Sequence, residues 1–447
     1  MSDQPTQGGR PSVSRRQFLT GATAAGVGGL VVGGVGGFVG GRASKESTSG
    51  STTSGGGGST EPIKIGSASP VTGPFASDGQ QMVRGQELAI QEINDAGGLL
   101  GRQLELVKLD TKIQQDEVMT NVFHKLVSED VAAIFSGFTS YTSVEYPIVA
   151  EVGIPTFHVN TWHGNVDYVK KNGITNIFQI DPSETSYGTG FITLVNQFIR
   201  SGAYKPSDES TFIVTSNDPY SLSIAQSFRG GMEKQGWKTL GFEQYTVPQA
   251  DYAGVLVKIR DQAPGIVFFS SYAPGDEAAF IKQFRQSPTP SLVYEQYAPS
   301  IPEYLDLAGD DANGVLWSTV VGVLAGDARA KAFIDKFSAK FNREPGFSNA
   351  GDQYDGVHLW AEAAALAGDP YDFEAVNANV ANTVYRGVVG AYSFLPGGLT
   401  CYPYPDETPD PSLGMPHLTF QIQDGQQVVI SPDPYTTGSF QLPEWLA

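Results

Sequence analysis

Cysteine is nearly absent. The 447 residues hold one, Cys401, so no internal disulfide can form and packing alone must hold the fold. Basic residues are scarce too: Lys and Arg total 28 against 47 Asp and Glu, a net charge of −19. That balance lacks the basic footprint needed for nucleic acid or for docking on anionic lipid. High negative charge keeps a protein soluble and is one lever of proteins in salty surroundings, so a halophilic source is an expectation from composition. Several catalytic signatures are missing: Gly-x-Ser-x-Gly, a glycine-lysine phosphate loop and His-Glu-x-x-His. The first strand runs into Ser69-Pro70-Val71-Thr72-Gly73-Pro74, not Gly-x-Gly-x-x-Gly, so no dinucleotide site is expected. His158 and His163 have no carboxylate or Cys at ligand spacing, so neither a metal nor another cofactor is expected. No nucleophile–base pair can be assembled from the sequence, and the chain is not expected to be an enzyme.

What is present begins with an address. Ser14-Arg15-Arg16-Gln17-Phe18-Leu19-Thr20 precedes an uncharged stretch, Gly21 to Gly41, the order of parts of a twin-arginine export signal. Its 21 residues would just cross a bilayer as a helix at about 1.5 Å per residue. Ten of them are Gly, a poor helix former, which favours a signal over a permanent anchor. An uncleaved N-terminal anchor is the alternative, and no Cys follows the run to take a lipid there. Residues 1–42 are therefore assigned to the signal or anchor, and 43–61, mostly Ser, Thr and Gly, to a flexible linker. The expected location is outside the cytoplasm, at the cell surface, with the twin-arginine machinery as export partner.

From Ile63 onward short apolar runs alternate with helical patterns. Strands are expected at 63–68, 104–110, 131–136, 154–159 and 177–181, with helices at 80–96, 118–128 and 144–151 between them. The rhythm restarts with strands at 211–215, 241–245, 266–271 and 292–294 and helices at 222–235, 252–261 and 276–286. A strand at 314–320 precedes helices at 328–341, 349–367 and 373–382. Residues 396–416 are rich in Pro and read as irregular, and 417–423 with 427–430 read as a closing hairpin. Alternation of this kind implies an α/β fold of mostly parallel sheets with helices on both faces. Two successive runs imply two lobes: 62–182 with 322–392 returning to it, and 183–321 with 393–447 adding to it.

Ligands of open parallel sheets sit beyond the carboxyl ends of the strands. After 131–136 come Thr139, Ser140 and Thr142, whose hydroxyls near a helix start suit a carboxylate; alternatively Thr142 or Ser143 caps its own helix. After 154–159, Asn160, Thr161 and Trp162 offer polar groups beside an apolar cover. After 266–271, Tyr272 can hydrogen-bond a ligand, while Asp276 and Glu277 favour their helix start.

Pro70-Val71-Thr72-Gly73-Pro74-Phe75-Ala76, Gly85 with Leu88-Ala89, and Ile93-Asn94-Asp95-Ala96-Gly97-Gly98-Leu99-Leu100-Gly101-Arg102 form a long pattern ahead of a strand ending in Asp110. It resembles the start of the branched-chain amino acid binding proteins of ABC importers. Weaker similarity continues through Phe269-Ser270-Ser271-Tyr272 and Leu307-Ala308-Gly309-Asp310 to Asp352-Gln353-Tyr354-Asp355-Gly356. The resemblance implies the two-lobed periplasmic-binding-protein type 1 fold, a small solute trapped between closing lobes, a membrane permease with its ATPase as partner, and a monomer. By resemblance, Ser140, with Thr139 and Thr142 beside it, holds a ligand carboxylate; Asn160 and Thr161 contact the ligand head; Tyr272 reaches from the second lobe; and Glu295 pairs with an ammonium. Asp78 stands where amino acid binders carry an aromatic, and Trp162 and His163 stand where small residues are usual. These departures leave the solute open among amino acids, amides, urea and aromatic acids. A sensor of the same fold is the second reading; it would be expected to continue into a signalling domain.

Overall fold

The computed structural model of the protein describes residues 61–394 and 399–446. The expected signal or anchor, the linker up to Thr60 and residues 395–398 of the proline-rich region lie outside the described residues. The first half is a run of β1 (Ile63–Ser69), α1 (Ala76–Asp95), β2 (Leu104–Asp110), α2 (Asp116–Ser128), β3 (Ile134–Ser136), α3 (Tyr146–Val152), β4 (Thr156–His158), α4 (His163–Asn172) and β5 (Ile177–Gln179). The strands form one parallel sheet in the order β2-β1-β3-β4-β5. Its central strands β1, β3 and β4 are buried almost throughout, as strands covered by helices on both faces must be.

The second half continues with α5 (Thr185–Ser201), β6 (Ser210–Ser216), α6 (Pro219–Lys234), β7 (Lys238–Tyr245), α7 (Ala253–Gln262), β8 (Ile266–Ser270), α8 (Pro274–Arg285), β9 (Leu292–Gln296), α9 (Pro302–Ala308) and β10 (Leu316–Thr319). The chain then returns to the first sheet with α10 (Ala328–Phe341), α11 (Ala350–Ala367) and α12 (Phe373–Asn382). The two-residue ladders β11 (Tyr385–Arg386) with β12 (Ala391–Tyr392) and β13 (Pro403–Tyr404) with β14 (Met415–Pro416) follow. The hairpin β15 (Leu418–Gln423) and β16 (Gln426–Ser431) then pairs antiparallel with β10. The second sheet therefore has seven strands, ordered β16-β15-β10-β9-β8-β6-β7. The chain crosses between sheets three times: after β5, after β10, and between β12 and β15.

α11 lies directly on α1, and Gly85 sets the distance. A Cβ at Gly85 would stand 2.1 Å from the Ala350 carbonyl oxygen, so only glycine permits this approach. Three helices were not foreseen, α4, α5 and the seven-residue α9. α4 is short and ends at Gly173 in a left-handed turn. α5 buries Tyr187, Phe191, Leu194, Val195 and Phe198 on one face. Its sequence also holds two Gly, three Thr, two Ile and a Val, residues of modest helix propensity, and burial of the apolar face overrides that preference.

Candidate functional site

In each sheet the strand order reverses beside the first strand of its half. The reversal falls between β1 and β3 in one sheet and between β6 and β8 in the other. Crevices open at such points because consecutive connections leave in opposite directions. Here the two crevices face each other across a cavity of about 250 Å³. Phe75 and Asp78 come to it after β1, Phe138 and Tyr141 after β3, and Val159, Asn160 and Thr161 after β4. From the other sheet come Asp218 and Tyr220 after β6, Tyr272 after β8, Tyr297 after β9 and Val321 after β10. Gln114, Tyr187 and Asn349 complete the lining.

Seven of these fifteen side chains are aromatic, and none is Lys, Arg or His. The rings form two groups. Phe75 stands edge-on to Phe138 at 5.6 Å and tilts against Tyr272 at 5.7 Å. Tyr220 is edge-on to both Tyr187 (6.5 Å) and Tyr297 (6.3 Å). These are the favoured aromatic geometries, and they fix the walls of the cavity.

Two carboxylates enter it. Asp78 Oδ1 accepts from the Tyr297 hydroxyl at 3.0 Å and from Asn349 Nδ2 at 2.9 Å. Burial raises the Asp78 carboxyl from its ordinary value to about 6, with Tyr297 opposing the rise and Glu303 adding to it. Both donors sit on left-handed backbone, Tyr297 at φ 97° and Asn349 at φ 73°. Such conformations cost on the order of 1–3 kcal/mol each and persist where the surroundings over-determine them, as at ligand clamps. Asp218 caps α6, accepting from Ser221 N at 2.9 Å, and its other oxygen accepts from the Ser216 hydroxyl at 2.5 Å.

Of the residues expected from the sequence, Asp78, Asn160, Thr161 and Tyr272 line the cavity, and the others lie elsewhere. Ser140 is fully buried and serves its own loop. Its N–H donates to Glu145 Oε1 at 2.9 Å, its hydroxyl to Glu145 Oε2 at 2.5 Å, and the hydroxyl accepts from Val144 N at 3.2 Å. Thr139 takes the side-chain amides of Asn160 (2.8 Å) and Asn165 (2.6 Å) on its hydroxyl. Thr142 is exposed and donates to Asp116 Oδ1 at 2.7 Å. Neither Thr142 nor Ser143 gives α3 a side-chain cap. Trp162 packs edge-on to Tyr141 at 5.5 Å, as a brace behind the wall. Glu295 is fully buried outside the cavity lining, where it accepts from the Tyr304 hydroxyl at 2.5 Å. Sequence reading passed over Asp218 and Tyr297, although both follow parallel strands and the carboxyl-end rule points to their loops.

A second contact ties the halves together. Glu184, fully buried on the crossover after β5, accepts from Ser223 Oγ of α6 at 2.7 Å and lies 2.5 Å from His163 Nδ1 of α4. The Glu184 carboxylate holds the His163 imidazole above its usual range. Ser, His and Glu suggest a hydrolytic relay, but Ser223 and His163 both face the same oxygen, Glu184 Oε1. A relay needs the imidazole between hydroxyl and carboxylate, with a different ring nitrogen toward each. Among the described residues no cluster suited to a metal is found, and no helix is long and apolar enough to cross a membrane.

Comparison with known proteins agrees with this architecture. The periplasmic binding protein family matches residues 62–398. The leucine-, isoleucine-, valine-, threonine- and alanine-binding protein of Pseudomonas aeruginosa is 26% identical over 322 residues, covering 72% of this chain and 83% of that protein. A solved structure from Silicibacter pomeroyi, named for branched-chain amino acid ABC transport, superposes with a TM-score of 0.82 at 33% identity, covering 86% of this chain and 100% of the other. The substrate-binding protein LivJ of Streptococcus pneumoniae, solved with isoleucine, shares the fold at a TM-score of 0.66 and 22% identity, covering 82% of this chain and 97% of the other.

Proposed function

The chain belongs to the periplasmic binding protein family, and from that premise we propose that its two halves close on a small solute and present it to an ABC importer. Such proteins work outside the cytoplasm with a membrane permease and its ATPase. The observation that carries the reading is the single cavity built from the carboxyl ends of both sheets. Each half offers part of a site, so a solute touching both favours the closed arrangement by its differential affinity for it. Asp78, Asn160, Thr161 and Tyr272 are the sequence-derived residues we assign to the solute. The lobes are taken as 62–182 with 322–392 and 183–321 with 393–447. Export through the twin-arginine route, a monomeric state, a surface tether and a salt-rich setting belong to the same proposal, supported by Arg15-Arg16, the linker and the charge of −19. The role is binding, with no reaction assigned to the cavity.

The test is a thermal-shift screen of amino acids, amides, urea, aromatic acids and organic cations, followed by calorimetry. A solute at 100 times its dissociation constant should add about 2.7 kcal/mol of stability. Tyr272→Ala should weaken that binding while leaving the unliganded melting temperature within a few degrees. A protein that no small solute stabilises, and whose radius of gyration none changes, would overturn the reading.

A further inference from the structure

The geometry points to an organic cation without a free carboxylate, an alkyl- or arylammonium compound, as the solute of this cavity. The inference rests on the solute-binding reading and names its substrate class.

The lining is one-sided in charge. Asp78 and Asp218 both reach the cavity, and no Lys, Arg or His side chain lines it. Asp218 lines the cavity together with Tyr141, from the first sheet, and Tyr272, from the second. It therefore sits where the halves meet. Capping of α6 explains an acceptor at position 218. The Ser216 hydroxyl engages its second oxygen, and both donors are neutral, so neither supplies a counter-charge. Asp78 and Asp218 are both half-buried in this ring-lined space, and a carboxylate partly withdrawn from water gains from a counter-charge. A bound cation supplies it.

The aromatic walls suit the same ligand. Phe75, Phe138 and Tyr272 form one group of lining rings and Tyr187, Tyr220 and Tyr297 another, with distances of 5.6–6.5 Å between neighbours within each group. Rings attract alkylated ammonium groups through their negative faces, and more strongly when water is excluded. A cavity of about 250 Å³ is many times the roughly 10–15 Å³ that one water needs on the same measure. That is the scale of a small substituted ammonium ion.

A carboxylate on the ligand, by contrast, cannot use Ser140 of the loop after β3. The Ser140 N–H and hydroxyl, the donors that the resemblance assigns to an anion, are both taken by Glu145. Glu145 is itself fully buried, so the protein has filled that position with its own carboxyl group. The Asn160 amide is turned away as well, donating to the Thr139 carbonyl at 3.1 Å and hydroxyl at 2.8 Å.

The experiment is calorimetric titration of the full chain with choline, tetramethylammonium and phenethylammonium, beside leucine and benzoate. At least one cation should bind about tenfold or more tightly than either carboxylate. Asp78→Asn and Asp218→Asn should each weaken that cation by about tenfold. Asp78→Asn keeps the acceptor for Tyr297 and Asn349, and Asp218→Asn keeps the α6 cap while losing the acceptor for Ser216, so circular dichroism melts should show both unliganded variants folded, the second lower by a few degrees at most. Tighter binding of leucine or benzoate than of every cation would overturn the inference and leave solute capture standing. Cation binding unaffected by either substitution would overturn it as well. If the wider solute panel also fails to bind, solute capture falls with it.

Discussion

Tyr297 reaches across from the seven-stranded sheet and donates its hydroxyl to Asp78 of α1 at 3.0 Å, from a backbone held at φ 97°. That hydroxyl, which also accepts from Asn349 Nδ2 at 3.4 Å, joins the two halves beside the cavity, and a strained residue supplies it.

Removing only that hydroxyl should loosen the closed arrangement. Tyr297→Phe keeps the ring against Tyr220 and leaves Asp78 with Asn349 as its remaining side-chain donor. A loss of about 1 kcal/mol in urea unfolding is expected, with a larger radius of gyration in small-angle scattering of the unliganded protein. An unchanged scattering curve would show that the bond does not restrain the halves.

Gly85 makes a sharper prediction. The Cβ introduced by Gly85→Ala meets backbone, the Ala350 carbonyl oxygen, which cannot rotate away. Separating α1 from α11 should cost about 3 kcal/mol. Gly254→Ala is the control, because nothing lies within 4 Å of a Cβ there and α7 should gain up to about 1 kcal/mol. Equal melting temperatures for the two variants would refute the close approach.

Glu295 predicts a pH dependence. It and Glu277 are fully buried, burial raises both carboxyls, and Glu295 is pushed up to about 8. A carboxyl whose folded value exceeds its unfolded one binds its proton more tightly in the folded protein. Its stabilising contribution is complete below the ordinary carboxyl range and is lost as pH rises through about 8. Denaturant midpoints should therefore fall from pH 5 toward pH 9, and Glu295→Gln should flatten the slope. A steeper slope in the variant would reverse the assignment.

Asp355 is also buried, yet it accepts from Val388 N at 2.8 Å, Val389 N at 3.0 Å and the Tyr392 hydroxyl at 2.9 Å. Asp355→Ala orphans these donors and should destabilise the fold by about 3 kcal/mol. Asp355→Asn, which keeps an acceptor, should lose less. Equal losses in the two variants would mean that volume matters and the hydrogen bonds do not.

Much of the fold was legible because its elements carry period and punctuation. β2 falls on Leu104–Asp110, and α10 and α12 fall on 328–341 and 373–382, as patterning suggests. α5 was illegible because its Gly, Thr and β-branched residues mask a helix that only burial justifies. At the site, Asn160, Thr161 and Tyr272 follow directly from strands and are local facts. Asn349 and Tyr187 arrive from α11 and α5, and their approach depends on how whole helices pack. Ser140 shows the opposite limit. Its hydroxyl looks free in sequence, and only the curl of the loop reveals that Glu145, five residues on, has claimed it.

The hairpin at β15 and β16 bears on the order of events during synthesis. The second sheet leaves β10 without its antiparallel neighbour until residues 418–423 are available, and the first sheet leaves α1 uncovered until α11 has been made. A nascent chain emerging from the ribosome thus holds two unfinished cores at once. The cover of α1 is made some fifty residues before the partner of β10, so the first sheet should close ahead of the second.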